Sequence, residues 1–177
     1  MDIDILTIFP EMFKPVLGSS ILKRAQDAEC IRVKVHNLRD WSPDTKHLKV
    51  DDRPFGGGPG MVMKPEPFFE AIDDLKQQRK QKPHVVLLCP QGKRLDQGEV
   101  KRLAKTDWMV LLCGHYEGVD ERVKKELVDE EISIGDYVLT GGELPAMVLL
   151  DAVTRLQPKA LGHKDSTADE SFSESLL

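Results

Sequence analysis

Two different spacings of apolar residues alternate along the chain and predict strands separated by helices. Residues 84–89 and 108–113 are continuous apolar runs that end at Pro90 and Gly114, which is typical of strands buried on both faces of a parallel sheet. Three other stretches predict strands: 3–9, 31–35 and 131–134. Five stretches predict helices: 11–29, 65–81, 96–104, 119–127 and 143–156. This alternation predicts an α/β fold in which helices cover both faces of a mostly parallel sheet.

Glycines are concentrated where the backbone could approach a ligand closely. Residues 40–64 are rich in glycine and proline, and a loop of this length is usually functional or disordered. Further glycines follow predicted strands in 90–92, 114–118 and 134–137. Because ligands of open α/β sheets bind outside the carboxyl ends of the strands, these three loops together predict a ligand site. For any one loop, ordinary turn glycines are the alternative.

The composition limits the class of protein. The 177 residues are 40% hydrophobic and have a net charge of −5, which suits one soluble domain and excludes a basic surface over the whole chain. The segment 76–105 nevertheless has a local charge of +7, and it is either a solvated helix face or a contact for a polyanion. The acidic N-terminus, the short apolar runs and three widely spaced cysteines predict a cytoplasmic protein with reduced thiols.

Several common catalytic motifs are missing from the sequence. It has no P-loop, no Gly-x-Gly-x-x-Gly after the first predicted strand and no Gly-x-Ser-x-Gly elbow. The five histidines include no pair four residues apart, so we expect no structural metal. A dinucleotide-binding fold of the usual sort is therefore not expected.

Four longer motifs carry a resemblance that runs from one end of the chain to the other. They are Ile8-Phe9-Pro10-Glu11-Met12-Phe13 and the segments 51–61, 114–122 and 133–145. Together they resemble the bacterial tRNA (guanine-N(1))-methyltransferase family. The resemblance implies a SPOUT-type α/β domain with a deep C-terminal trefoil knot, a rare exception to the usual connection rules. It also implies methylation of ring nitrogen 1 of the guanosine at position 37 of tRNA, in the cytoplasm.

The resemblance also implies the ligands and the residues that hold them. The methyl donor would be S-adenosylmethionine, with Mg²⁺ as a further ion that accompanies the substrate. Matching motif positions predict these cofactor-binding residues: Leu88, Pro90, Gly92, Gly114, Tyr116, Glu117, Ile134, Gly135, Asp136, Tyr137, Val138, Leu139, Gly141, Gly142 and Pro145. The glycine-rich loop would lie near the target base, with these substrate-binding residues: Arg53, Phe55, Gly57, Gly58 and Gly60.

Three residues match the catalytic positions of the family. Ring nitrogen 1 of guanine carries a proton at neutral pH, so methylation needs a general base and a cation that stabilises charge on the neighbouring carbonyl oxygen. Arg155 matches the cation, although a basic residue at a helix end is also a common stabilising feature. The base matches the acid before Ser171-Phe172, which is Glu170, with Asp169 as the alternative.

The length of the chain gives rise to competing functional hypotheses. We expect a methyltransferase domain over 1–160, a mobile acidic linker over 161–177, and no C-terminal tRNA-binding domain. The resemblance implies a homodimer with shared active sites, in which the cofactor comes from one subunit and the linker acid from the other. The alternatives are a cofactor-binding, dimerising module with negligible tRNA methylation, and an RNA-binding scaffold that uses the basic segment.

Overall fold

A computed structural model describes residues 1–161 and 171–172, which form one α/β layer structure. The strands are β1 (Asp2–Thr7), β2 (Arg32–Asn37), β3 (Asp51–Asp52), β4 (Val62–Met63), β5 (His84–Arg94), β6 (Trp108–Cys113) and β7 (Glu130–Ser133). The helices are α1 (Lys14–Leu17), α2 (Ser20–Asp27), α3 (Pro65–Arg79), α4 (Gln97–Leu103), α5 (Glu121–Glu126) and α6 (Glu143–Arg155). Short 3₁₀ turns at Pro10–Met12 and Leu38–Trp41 complete the described elements.

Five of the strands form a single parallel sheet in the order β2-β1-β6-β5-β7. Because successive side chains of a strand point to opposite faces, each central strand contributes to two cores. One core contains α2, α4 and α6 and these strand residues: Ile3, Ile5, Val86, Leu88, Met109 and Leu111. The other contains α3 and α5 and these: Leu6, Val85, Leu87, Val110 and Leu112. The predicted parallel sheet covered on both faces is confirmed, while the knot stays a prediction.

Two predicted elements need a closer description. The helical spacing over 11–29 allowed a loop around Gly18, and the chain does turn at Gly18 between α1 and α2. The predicted strand over 84–89 was expected to stop at Pro90, but β5 continues to Arg94. An irregularity in its pairing with β7 falls between Leu88 and Lys93, and it accommodates a proline that has no N–H to donate to the ladder.

A buried ionic network joins three strands and α3. The fully buried carboxylate of Asp4 accepts hydrogen bonds from Trp108 Nε1 at 2.8 Å and Arg79 Nη2 at 2.9 Å. His36 Nε2 lies 2.6 Å from the other carboxylate oxygen. Burial alone would raise the pKa of Asp4, but the hydrogen bonds from His36 and Trp108 and the charge of Arg79 lower it overall. The charge is therefore held in the core by three partners.

None of the described helices is both long and apolar enough to pass through a lipid bilayer.

Candidate functional site

A cavity of about 1080 Å³ opens beside the irregular part of β5 after Leu88 and at the ends of β6 and β7. Its walls include Leu88 and Pro90 from β5, Gly114 after β6 and Ile134 after β7. Parallel strands place their carboxyl ends at one edge of the sheet, so segments far apart in sequence meet here. The volume is at the upper end of the range for small-molecule sites. The ligand site predicted from three glycine-bearing strand ends therefore corresponds to one continuous cavity.

Most of the predicted cofactor-binding residues line this cavity. Those that do are Leu88, Pro90, Gly114, Tyr116, Glu117, Ile134, Gly135, Tyr137, Val138, Leu139, Gly141, Gly142 and Pro145. The other two, Gly92 and Asp136, are not part of its lining. A Cβ on Gly92 would overlap with the backbone of Glu131, so this glycine lets β5 pass closely over β7. Asp136 is exposed and lies 3.7 Å from Arg94 Nη1.

Backbone contacts tie the loop after β6 to the turn before α6. The N–H of Gly142 donates to the carbonyl oxygen of Gly114 at 2.8 Å, and His115 forms an isolated antiparallel bridge with Gly141. A Cβ on Gly142 would come within 2.7 Å of Cys113 Cα and 3.0 Å of Gly114 N. Glycine is required at this position because two backbone segments are in direct contact.

The glycine-rich loop reaches the cavity through some of its predicted residues. Arg53 and Phe55 line the cavity, and Phe55 is 92% exposed. Gly60 has positive φ and packs on the Glu117 side chain so closely that a Cβ would overlap with it, but Gly60 is not part of the cavity lining. Gly57 and Gly58 also have positive φ, but they face open space and are not part of the cavity lining. The loop thus brings an exposed aromatic ring and a cation to the mouth of the cavity.

One polar group beside the cavity was not predicted from the sequence. Cys89 Sγ donates to Glu131 Oε2 at 2.9 Å, and Lys124 Nζ lies 3.2 Å from the same oxygen. Burial, and then the hydrogen bond and charge of Glu131, raise the pKa of Cys89 to about 11. The thiol is therefore protonated at neutral pH and acts as a donor, not as a nucleophile. Sequence spacing contains no signal that would bring β5, α5 and β7 together in this way.

A second polar group is buried behind the cavity wall. Thr7 Oγ1 donates to Glu143 Oε1 at 2.7 Å, and Glu143 Oε2 lies 3.8 Å from His115 Nδ1. His115 Nδ1 is buried and has no hydrogen-bond partner among the described residues. Thr7 and Glu143 were not predicted, because one closes β1 and the other begins α6.

Of the three predicted catalytic residues, the structure describes only Arg155. Arg155, at the end of α6, is not in the lining of the large cavity and borders a separate, smaller cavity that Val148 and Asp151 also line. Glu170 and Asp169 lie outside the described residues. The catalytic roles of these three residues stay predictions.

The residues of the cavity suit a nucleoside cofactor that is recognised mainly by backbone. The loops offer closely approaching glycines, the apolar side chains of Leu88, Ile134 and Pro145, and the exposed ring of Tyr137. An apolar slot with a few directed polar groups is the usual form of such a site. Within the residues that the structure describes, no group of three or more His, Cys, Asp or Glu side chains could hold a metal ion.

Comparison with known proteins gives one consistent family. The family model described as tRNA (Guanine-1)-methyltransferase TrmD matches residues 1–177. Two curated relatives, the tRNA (guanine-N(1)-)-methyltransferases of Bacillus cereus (strain AH820) and Bacillus anthracis (strain A0248), are each 54% identical over all 177 residues, which span 72% of each relative's length. The crystal structure of tRNA (m1G37) methyltransferase from Aquifex aeolicus superposes with a TM-score of 0.85 at 42% identity, over 92% of this chain and 72% of that one. The chain therefore belongs to the tRNA (guanine-N(1)-)-methyltransferase family.

Proposed function

We propose that this chain transfers a methyl group from S-adenosylmethionine to ring nitrogen 1 of the guanosine at position 37 of tRNA. The observation that carries the proposal is the single cavity at the strand ends, which gathers nearly all residues of the three cofactor motifs. Family membership supports the reaction, and the exposed Phe55 and Arg53 at the cavity mouth suit a stacked base and a phosphate.

The reaction needs a general base and a cation, and this chain has candidates for both. S-adenosylmethionine, when bound, supplies an electrophilic methyl group and leaves as S-adenosylhomocysteine. Glu170 or Asp169 would take the proton from guanine nitrogen 1, whose electron pair then forms the new bond to the methyl carbon while the carbon–sulfur bond breaks with its electrons on sulfur. Arg155 would stabilise the negative charge that develops on the neighbouring carbonyl oxygen. Because the product carries no extra proton on that nitrogen, the proton remains on the carboxyl group until solvent removes it.

We further propose that the active site is shared between two copies of the chain. In the described structure Arg155 lies on a face of α6 that also carries Leu144 and Val148, which are 50% and 48% exposed. Residues at these spacings lie on one side of a helix, so an apolar stripe leads towards Arg155. Burying this stripe against a second subunit would remove exposed apolar surface and bring Arg155 to the partner's cavity.

The proposed domain organisation follows the same logic. Residues 1–160 would form the methyltransferase domain, and the acidic segment 161–177 would carry the base to the substrate. The tRNA-gripping surface would then depend largely on parts of the relatives that these residues do not span. We propose that Mg²⁺ accompanies the tRNA substrate, since this ion is commonly bound through phosphates.

Single-turnover methylation of tRNA tests the catalytic assignment. Asp169→Ala and Glu170→Ala are compared with Glu174→Ala, a matched loss of an acid in the same segment. Loss of the general base should slow methyl transfer about 100-fold, while the control stays within about threefold. If neither Asp169→Ala nor Glu170→Ala slows the reaction tenfold, the assignment of the base is wrong. If the unaltered chain binds S-adenosylmethionine but transfers no methyl group, the chain acts as a cofactor-binding module instead.

A mixing experiment tests the shared site. A cofactor-site variant and the base variant are each inactive alone and are then combined in equal amounts. Subunit exchange places an intact cofactor cavity beside an intact base in the mixed dimer, so activity should return. If activity does not return although subunits exchange, cofactor and base belong to the same subunit.

Val148→Glu should shift the protein to monomers in analytical ultracentrifugation.

A further inference from the structure

Three polar side chains from separate elements meet behind the cavity wall. Thr7 ends β1, His115 follows β6 and Glu143 begins α6. The Thr7 hydroxyl accepts the Phe9 N–H at 2.9 Å and donates its single hydrogen to Glu143 Oε1 at 2.7 Å. The Glu143 side chain is only 3% exposed. Thr7 therefore fixes one carboxylate oxygen of Glu143 and leaves the other oxygen available.

The second carboxylate oxygen faces an imidazole nitrogen that lacks a partner. Glu143 Oε2 and His115 Nδ1 are 3.8 Å apart, which is too far for a hydrogen bond. His115 Nδ1 is buried and finds no other partner in residues 1–161 and 171–172. Leaving such a nitrogen unsatisfied destabilises a folded protein, so a partner for it is favoured. A movement of about 1 Å would bring the two atoms within hydrogen-bond distance.

Glu143 is the first residue of α6, and its side chain is buried. Burial, and then the charge of Glu143, raise the pKa of the neighbouring Cys113 thiol well above its usual value. A hydrogen bond from His115 Nδ1–H to Glu143 Oε2 would satisfy both the buried ring nitrogen and the second carboxylate oxygen.

Two cavity-lining loops run directly over this pair. Gly141 bridges to His115 through the backbone, and a Cβ on Gly141 would overlap with both Glu143 Oε2 and His115 Nδ1. The His115 ring also meets the rings of Phe9 and Tyr116 edge-on, each with centroids 5.0 Å apart. The distance between His115 and Glu143 is thus coupled to the position of the Gly141–Gly142 turn in the cavity wall.

We propose that His115 and Glu143 are positioning residues for the methyl donor. When S-adenosylmethionine occupies the cavity, His115 Nδ1–H donates to Glu143 Oε2, and this bond holds the Gly141–Gly142 turn against the loop after β6. Thr7 acts one step further back by orienting the carboxylate. The inference rests on the proposed function, since it takes S-adenosylmethionine as the ligand of the cavity.

Two substitutions of the same histidine separate positioning from simple packing. His115→Phe keeps a ring beside Phe9 and Tyr116 but removes Nδ1, whereas the side-chain amide of His115→Asn places a donor close to the position of Nδ1. Calorimetry with S-adenosylmethionine should give a dissociation constant about tenfold higher for His115→Phe and within about threefold of the unaltered chain for His115→Asn. A tenfold loss corresponds to about 1.4 kcal/mol, which lies within the usual range for one hydrogen bond in a folded protein.

Nitrogen-15 NMR of the imidazole provides a readout that packing alone would not change. Addition of S-adenosylmethionine should produce a slowly exchanging Nδ1–H signal for His115, and Glu143→Ala should abolish it. His47→Phe, at an exposed histidine far from the pair in sequence, serves as the matched control and should leave the dissociation constant unaltered. Thermal melting of each variant shows whether a change in affinity merely follows a loss of folded protein.

Each outcome decides the inference. It is overturned if His115→Phe binds S-adenosylmethionine as tightly as the unaltered chain, if His115→Asn binds as weakly as His115→Phe, or if no Nδ1–H signal appears. If the unaltered chain itself fails to bind S-adenosylmethionine, the proposed function is wrong and the inference falls with it. If the unaltered chain binds S-adenosylmethionine and His115→Phe binds it equally well, the positioning role is overturned and the proposed function stands.

Discussion

Replacement of Gly142 by alanine tests how tightly the cofactor wall is built. The new Cβ would lie 2.7 Å from Cys113 Cα and 3.0 Å from Gly114 N, both of them backbone atoms within or next to the buried strand β6. An ordinary carbon–carbon contact lies at about 3.5–4.0 Å. Gly142 must therefore move by roughly 1 Å, and β6 is unable to yield because its side chains are packed in both cores.

The size of the effect follows from two losses. Overpacking of a well-filled site costs about 1–3 kcal/mol. The displacement also weakens the Gly142 N–H bond to the carbonyl of Gly114, which contributes about 0.5–1.5 kcal/mol. The combined loss is about 3 kcal/mol. If half of it weakens the free energy of binding, the affinity for S-adenosylmethionine falls roughly tenfold. The remainder should lower the free energy of unfolding.

Calorimetry and urea unfolding of Gly142→Ala measure these two parts. Gly98→Ala, in the first turn of α4, is the matched control, because its Cβ meets only the Asp96 side chain at 3.1 Å. The control should change the free energy of unfolding by less than about 1 kcal/mol, since alanine is also the better helix former. If Gly142→Ala keeps both its affinity and its stability, the close contact seen between the two backbone segments does not limit the site.

Three further predictions concern charge and protonation. Asp4→Asn should lower the free energy of unfolding by about 1–3 kcal/mol in urea titrations, because it disturbs the buried oxygens that accept from Trp108, Arg79 and His36, although Arg79 keeps its pair with Asp2. Asp27→Asn, in an exposed pair with Lys23, should cost less than about 1 kcal/mol. The folded-state pKa of Asp4 lies below its usual value of 3.8, so this carboxylate adds stability above that value, and the added stability is lost as the pH falls through the folded-state pKa. The free energy of unfolding of the unaltered chain should therefore decline over this acidic range, and Asp4→Asn should remove that part of the pH dependence. The pKa of Cys89 is raised to about 11, so Cys89 should react with iodoacetamide about 100-fold more slowly at pH 8 than a thiol of pKa 9.0. Mass spectrometry measures this labelling, and rapid labelling would contradict the hydrogen bond to Glu131.

Local patterns were sufficient for most of the architecture. The apolar runs that became β5 and β6 are buried on both faces, as their lack of alternation predicted. Glycines after strands marked the cavity because backbone freedom and close approach are properties of the residue itself. The same logic missed the continuation of β5 beyond Pro90, where pairing with β7 outweighs the usual effect of proline.

Long-range contacts decided the chemistry within the site. Periodicity was enough to predict the α/β class, and glycine placement was enough to predict which edge of the sheet binds a ligand. The long motifs indicated the family. All three signals are local in the chain, so they can be found without the tertiary structure. Only the tertiary structure brought Thr7 within 2.7 Å of Glu143 across 136 residues and set Cys89 against Glu131. The tertiary structure also placed Arg155 away from the cavity and showed that Gly92 has a packing role. The side chains that meet are set by the order and register of the strands, and no single segment of the sequence encodes that order.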